Sequence, residues 1–221
     1  MNLNFRIFRR ALPFLALGAL LPIAVGCPGV IEIKSKHEGG LKTATVAPIL
    51  YDDFEKGLNQ PYKYACTDSG SGAKFDISED SQVFHSGHKS LRCDYQSGVG
   101  SYGGGFGWVS PYMPKAGYFD AKGTLGLEFW AKAPRGAIFQ ASVKEGMANG
   151  GDGEVYLSPQ GTGTGNWKRY SFKWENFTRS IYSGNQAGDD QLAVSSIVEV
   201  AFQLSEKQGD GQLWIDDIYF K

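Results

Sequence analysis

From about Pro48 to the C-terminus, apolar and polar residues alternate in short runs separated by clusters of Gly, Asn, Asp and Ser, the pattern of half-buried strands joined by turns. The runs fall at residues 74–77, 90–95, 124–131, 137–143, 167–174, 197–204 and 212–219, and none sustains a helical period. Eight or more short strands in about 170 residues, without internal repeats, predict an all-β chain. The expected architecture is a two-sheet antiparallel β-sandwich of the jelly-roll, galactose-binding-like kind. Alternation also assigns faces: Leu125, Leu127 and Phe129 share one side and are expected in the core, while Gly126, Glu128 and Trp130 share the other. Trp130 then lies outside, where an indole needs a neighbour or a ligand.

The N-terminal region departs from this pattern. Arg6, Arg9 and Arg10 precede an apolar run at residues 11–25, which reads as the charged and hydrophobic parts of an export signal. The run, roughly 15 residues with Pro13 and Pro22 inside it, is shorter than the roughly 20 a bilayer-spanning helix needs. It ends in Ala24-Val25-Gly26-Cys27, which resembles the lipobox of bacterial lipoproteins and implies cleavage before, and lipidation of, Cys27. Residues 1–26 are thus expected to be a lipoprotein signal peptide, 27–47 a tether without aromatic residues, and 48–221 the folded domain. The expected location is the bacterial cell envelope, outer membrane or cell surface, with membrane contact only through the lipid. Export also exposes Cys66 and Cys93 to an oxidising compartment, where neighbouring strands would bring them to disulfide distance; two buried thiols are the alternative.

With 221 residues, 42% hydrophobic and 14% aromatic, the chain can bury one core of domain size. The formal charge is -1, and removing the three arginines of the signal leaves the mature chain at -4, so nucleic acid is excluded as a partner. Three His and three Cys have no zinc-site spacing. No Gly-x-Ser-x-Gly elbow, phosphate loop or His-Glu-x-x-His pattern occurs, and no helix follows Gly103-Gly104-Gly105, so the chain reads as a non-enzyme. A small glycan hydrolase stays open, because paired carboxylates meet in space rather than in order. His85 and His88 flank a turn and are expected to face solvent.

Two constellations carry chemistry. Asp53 and Glu55 point to one side of an extended opening segment, and Asp216 shares a face with Trp214, Ile218 and Phe220 near the end. An acid on an apolar face needs a partner. Asp53, Glu55 and Asp216 are expected to hold a structural calcium ion, with carbonyls from the 86–90 turn; Arg92 or Lys89 is the alternative partner. The second constellation is rings beside polar groups: Phe106, Trp108 and Tyr112 after the glycine run, Tyr62, Tyr64, Tyr156 and Tyr182, with Asp152 and Arg179. Flat rings stack on pyranose faces, and glycines let a broad ligand approach the backbone.

The residues resemble the family 11 carbohydrate-binding modules over most of Asp52 to Phe220. The likeness is carried by Asp52-Asp53-Phe54-Glu55, Ser86-Gly87-His88-Lys89-Ser90-Leu91, the glycine and aromatic stretch before Pro114, Gly151-Asp152-Gly153-Glu154, Asn166-Trp167-Lys168, Phe177 with Arg179 and Tyr182, and Ile215-Asp216-Asp217-Ile218. It implies a calcium-bearing jelly roll whose concave face binds β-glucan, lined by Tyr62 or Tyr64, Phe106, Asp152, Arg179 and Tyr182. Ile181, Ala193, Ser195 and Val198 stand where the family carries acids, leaving fewer acceptors for sugar hydroxyls. The expected function is non-catalytic binding of polysaccharide by an exported lipoprotein, with partner enzymes unidentified. A protein-contact module of the envelope is the reading from another class.

Overall fold

The structure is a computed structural model that describes residues 46–67, 74–97, 101–146, 153–204 and 209–221; side chains at 64–67, 97 and 101–103 are not described. All the described residues lie in one compact unit, Thr43–Lys221. The described residues form thirteen strands: β1 (Ile49–Asp52), β2 (Pro61–Thr67), β3 (Lys74–Asp80), β4 (Ser90–Ser97), β5 (Ser101–Trp108), β6 (Gly126–Lys132), β7 (Ile138–Glu145), β8 (Glu154–Leu157), β9 (Gly161–Thr162), β10 (Lys168–Lys173), β11 (Thr178–Gly184), β12 (Ile197–Leu204) and β13 (Gly209–Phe220). Among them lie two short 3-10 turns and no α-helix.

The strands make two sheets. One runs β10-β6-β13-β4-β3 with β1 added to β13, the other β11-β8-β7-β12-β5-β2 with β9 added to β7. Every pair is antiparallel, and the first and last strands lie side by side, Ile49 opposite Phe220. The chain is therefore the expected jelly-roll sandwich.

Alternation explains which side chains enter the space between the sheets. Leu91, Cys93 and Tyr95 of β4 and Leu127, Phe129 and Ala131 of β6 face Phe139, Ala141 and Val143 of β7 and Phe202 of β12. The layers meet through rings, Phe129 standing edge-on to Phe202 at 4.9 Å, and within the second sheet Phe202 stacks on Trp108 at 6.1 Å.

Three expectations change here. Leu125 is 75% exposed, because β6 starts one residue later and Leu125 lies where the chain passes the C-terminal strand. Cys93 is a buried free thiol, so the expected bridge to Cys66 is absent; β4 and β2 belong to different sheets, and burial pushes the thiol pKa up. His88 is exposed as expected, but the His85 side chain is only 26% exposed: its ring stacks on Trp130 at 3.7 Å, and its Nδ1 lies 2.7 Å from Asp217 Oδ2. Histidine is thus the neighbour that the outward Trp130 required.

Candidate functional site

Strand register places one continuous row across the outer face of the second sheet. Tyr62 of β2 lies opposite Gly107 of β5, Gly107 opposite Ala201 of β12, Ala201 opposite Ser142 of β7, Ser142 opposite Leu157 of β8, and Leu157 opposite Thr178 of β11. The next row begins Tyr64, Gly105, Gln203, Gln140. The middle strands thus carry glycine, alanine and serine between a tyrosine at one edge and larger residues at the other. That is a trough built by omission of side chains.

Gly107 is required there. A Cβ at this position would stand 2.3 Å from the Tyr62 hydroxyl and 2.9 Å from the Ala201 Cβ. Tyr62 therefore reaches over its neighbouring strand, its ring laid along the sheet. At the opposite edge, where the pairing of β11 with β8 is irregular between Arg179 and Gly184, Tyr182 is 90% exposed and Ile181 68%. Five inter-strand steps of about 4.8 Å separate the two edges, a span of about 24 Å.

The other ring candidates belong elsewhere. Phe106 and Trp108 alternate with the glycines of β5 and so point inward, fully buried. Trp108 Nε1 donates to Asp52 Oδ2 at 2.8 Å, and burial pushes the Asp52 carboxyl up to about 6. Tyr156 is also core, its hydroxyl donating to Glu154 Oε2 at 3.1 Å. Arg179 shares Tyr156's register position and pairs with Glu154 at 3.4 Å and with Asp190, so its guanidinium holds the β11–β12 loop. Asp152 and Cys27 lie outside the described residues, as do the side chains of Tyr64 and Cys66. Trp108→Phe is expected to lower stability by about 2–4 kcal/mol, by opening a cavity and stranding Asp52, while leaving ligand affinity unchanged. Denaturant unfolding beside a binding titration checks both halves.

The three acids expected around calcium are held by amides instead. Asp216 is fully buried beneath the 85–86 turn: Oδ2 accepts the His85 and Ser86 N–H groups at 2.8 and 3.2 Å, and Oδ1 accepts the Asp217 N–H at 2.8 Å. Burial pushes its carboxyl up to about 7. Glu55 Oε1 accepts the His88 and Lys89 N–H groups at 2.7 and 2.9 Å, and Asp53 Oδ1 accepts the Glu55 N–H and the Tyr112 hydroxyl. The turn expected to offer carbonyls to an ion offers N–H groups to carboxylates. Gly87 makes this possible, with φ of 62° and the Glu55 carboxylate 2.4 Å from where a Cβ would be. Among the described residues no three Asp, Glu, His or Cys side chains are grouped to hold a metal, so these residues do not fit the ion as a carboxylate-held site. Lys89 and Arg92, the alternative partners, pair with Glu79 and with Asp80 and Asp94.

Two buried acids were missed in the sequence. Glu145 and Glu154 lie on paired strands, flanking the Lys144–Val155 register, with Glu145 accepting the Ala193 N–H at 2.7 Å and Glu154 the Asp190 N–H at 3.3 Å. They anchor a loop. Burial first, and the neighbouring Glu154 charge second, raise the Glu145 pKa above its ordinary 4.5. The folded state then holds the proton where the unfolded state releases it, so this residue's contribution to stability falls as pH rises from 4.5 through the folded pKa. Glu145→Gln does not titrate, so its stability relative to wild type is expected to rise with pH across that window. Urea unfolding across it checks this; parallel curves would refute it.

No family model matches the chain, and no curated protein matches it. Solved structures do. The family 11 carbohydrate-binding module of cellulosomal cellulase Lic26A-Cel5E from Clostridium thermocellum aligns with a TM-score of 0.59 at 20% identity, covering 79% of this chain and 94% of that one. The fold matches the family 11 carbohydrate-binding modules. A second structure of the Clostridium thermocellum family 11 module, in complex with a β-1,3-1,4-mixed-linked tetrasaccharide, aligns with the same TM-score and identity over 79% and 95%. The family 30 module of cellulosomal cellulase Cel9D-Cel44B from the same organism aligns at 0.53 with 14% identity, over 79% and 96%.

Proposed function

We propose that the chain binds a β-linked glucan on the outer face of the β2–β11 sheet without cleaving it. The observation that carries this is the row from Tyr62 through Gly107, Ala201 and Ser142 to Leu157 and Thr178, a ring-edged trough on a sandwich shaped like carbohydrate-binding modules. Gly107, Ala201 and Ser142 are buried, with Tyr62 lying over Gly107 and beside Ala201, so a flat sugar chain meets the Tyr62 ring above this floor and stacks a pyranose face on it. Gln203 offers an amide to hydroxyls, and Gln140, whose Nε2 donates to the Ser158 carbonyl at 2.8 Å, offers its carbonyl oxygen. Binding without cleavage is supported by the employment of Glu145 and Glu154, both buried and each bound to a loop amide. In affinity electrophoresis, mixed-linkage β-glucan is expected to retard the protein with no release of reducing ends. Unaltered mobility in every β-glucan would move the weight to protein contact through Ile181 and Tyr182. New reducing ends would make it a hydrolase.

The export reading belongs to the same proposal. The signal-like residues 1–26 and the Ala24-Val25-Gly26-Cys27 sequence support an envelope lipoprotein that displays the domain from its lipid anchor. Among the described residues no helix is long and apolar enough to cross a membrane. Palmitate labelling that survives in Cys27→Ala would refute the anchor.

A further inference from the structure

The opposite sheet carries a cleft of about 700 Å³, within the size range of small-ligand sites. Its floor is the outer face of β13, β4 and β3, where Gln212 lies opposite Asp94 and Asp94 opposite Asp76. One side is Trp214, and the wall is formed by the Ala133-Pro134 and Gly165 loops, joined by the Gly165 N–H to Ala133 carbonyl bond at 2.8 Å.

The polar groups of this floor are held in place before any ligand arrives. Asp94 Oδ1 accepts from Arg92 Nη2 and from Gln212 Nε2, both at 2.8 Å. Burial raises the Asp94 pKa, but these two bonds outweigh it and hold the carboxyl below its ordinary value, so it is an acceptor at neutral pH. Trp214 is fixed by donation from Nε1 to Asp80 Oδ2 at 2.9 Å, and its half-buried ring stands between Lys132 Nζ, 5.3 Å from its centroid, and the Arg92 guanidinium, 6.0 Å from it. An indole locked at its polar edge lines the cleft with the part of the ring that these two cations leave open. Arg92 Nε is buried with no hydrogen-bond partner, so the brace behind Asp94 is built at some expense.

Charge decides the class of ligand. Lys74 and Lys132 stand against Asp76, Asp94 and Asp210 around the cleft, and Arg92 neutralises Asp94 from behind. Neither an anion nor a cation finds a field of one sign. A neutral, polyhydroxylated ligand meets an aromatic face and acceptors and donors of both kinds.

We propose that this cleft is a second saccharide site, taking a neutral sugar unit packed against Trp214 and hydrogen-bonded to Asp94 and Gln212. It stands on its own residues and not on the trough of the other sheet. Two sites on opposite faces of one sandwich would let a single chain bridge two polysaccharide strands.

The test is a nuclear magnetic resonance titration of the whole protein with four neutral hexasaccharides, a β-1,4-glucan, a β-1,4-xylan, a β-1,4-mannan and an α-1,4-glucan, and with a galacturonic acid oligomer. The Trp214 indole and Gln212 side-chain amide signals are expected to move with at least one neutral sugar, and to move equally in Tyr62→Ala. Gln212→Ala is expected to weaken that response at least tenfold while leaving the Gly107 and Ala201 signals responsive to the trough's ligand. Movement at Gly107 and Ala201 alone would overturn this site and leave the first reading standing. Movement at Trp214 alone would support this site and count against the trough. Silence at both, or response at Trp214 only to the acidic oligomer, would overturn it.

Discussion

Replacing Asp216 by Ala is expected to lower stability by about 3–5 kcal/mol, one of the largest losses available outside the aromatic core. The side chain satisfies three N–H groups, two of them 130 and 131 residues away in the His85–Ser86 turn. Removing the carboxylate strands all three. A fully buried orphan donor costs about 1–3 kcal/mol, and the turn amides, being only partly buried, stand at the low end. For a domain of this size the loss corresponds to a fall in Tm of about 10 °C. Asp216→Asn keeps one acceptor oxygen and should lose less. A loss below 1 kcal/mol for the alanine variant would show that the turn is held by other means, notably the His85–Trp130 stack. The same geometry predicts that excess chelator leaves the wild-type Tm unchanged. A fall of several degrees would place an ion on Asp53 and Glu55 and return calcium to the site.

The sequence tells correctly that Asp216 is buried and needs a partner; the partners found are backbone amides, where a cation is expected from the pattern. Backbone amides are carried by every residue and leave no trace in composition, whereas arginines and metal-binding sets do. Face assignment failed at the same place for a related reason. Strict alternation puts residues 214, 216, 218 and 220 on one side; the register of β13 shifts between Asp216 and Tyr219, where Asp217 has φ of 50°. Leu213, Ile215, Ile218 and Phe220 therefore all reach the core, and Asp216 stays on the Trp130 face, buried by the turn above it.

Strand β5 failed in another way. Its glycines argue against a strand by propensity, and the expected strands leave residues 101–108 out. In a strand with one face against the core, the parity of Gly105 and Gly107 against Phe106 and Trp108 separates the faces by itself. The rings are packing and the glycines are the candidate binding surface. Of the tyrosines, Tyr62 and Tyr182 reach the outer face or its rim, while Tyr156 differs from them only by one step of register. That difference lies in long-range pairing, which no local pattern reports.

Tyr62→Ala is expected to weaken glucan binding about thirtyfold, or about 2 kcal/mol, the worth of one ring face buried against a pyranose. Loss of a contact ring and loss of the fold must be told apart, and Gly107→Ala does this. The backbone at Gly107 is not in the left-handed region, so alanine brings no backbone strain and reduces unfolded-chain entropy slightly. Its Cβ, however, takes the place now held by the phenol end of Tyr62 and crowds Ala201. The ring must swing off the trough. Gly107→Ala is therefore expected to reproduce most of the affinity loss of Tyr62→Ala while unfolding cooperatively, its Tm falling by several degrees as Ala201 is crowded, and the double variant should bind no worse than Tyr62→Ala alone. Such non-additivity is the signature of two residues acting through one contact. Independent losses that sum in the double variant would mean that Gly107 serves by admitting the ligand to the backbone, and that Tyr62 stacks somewhere other than over it.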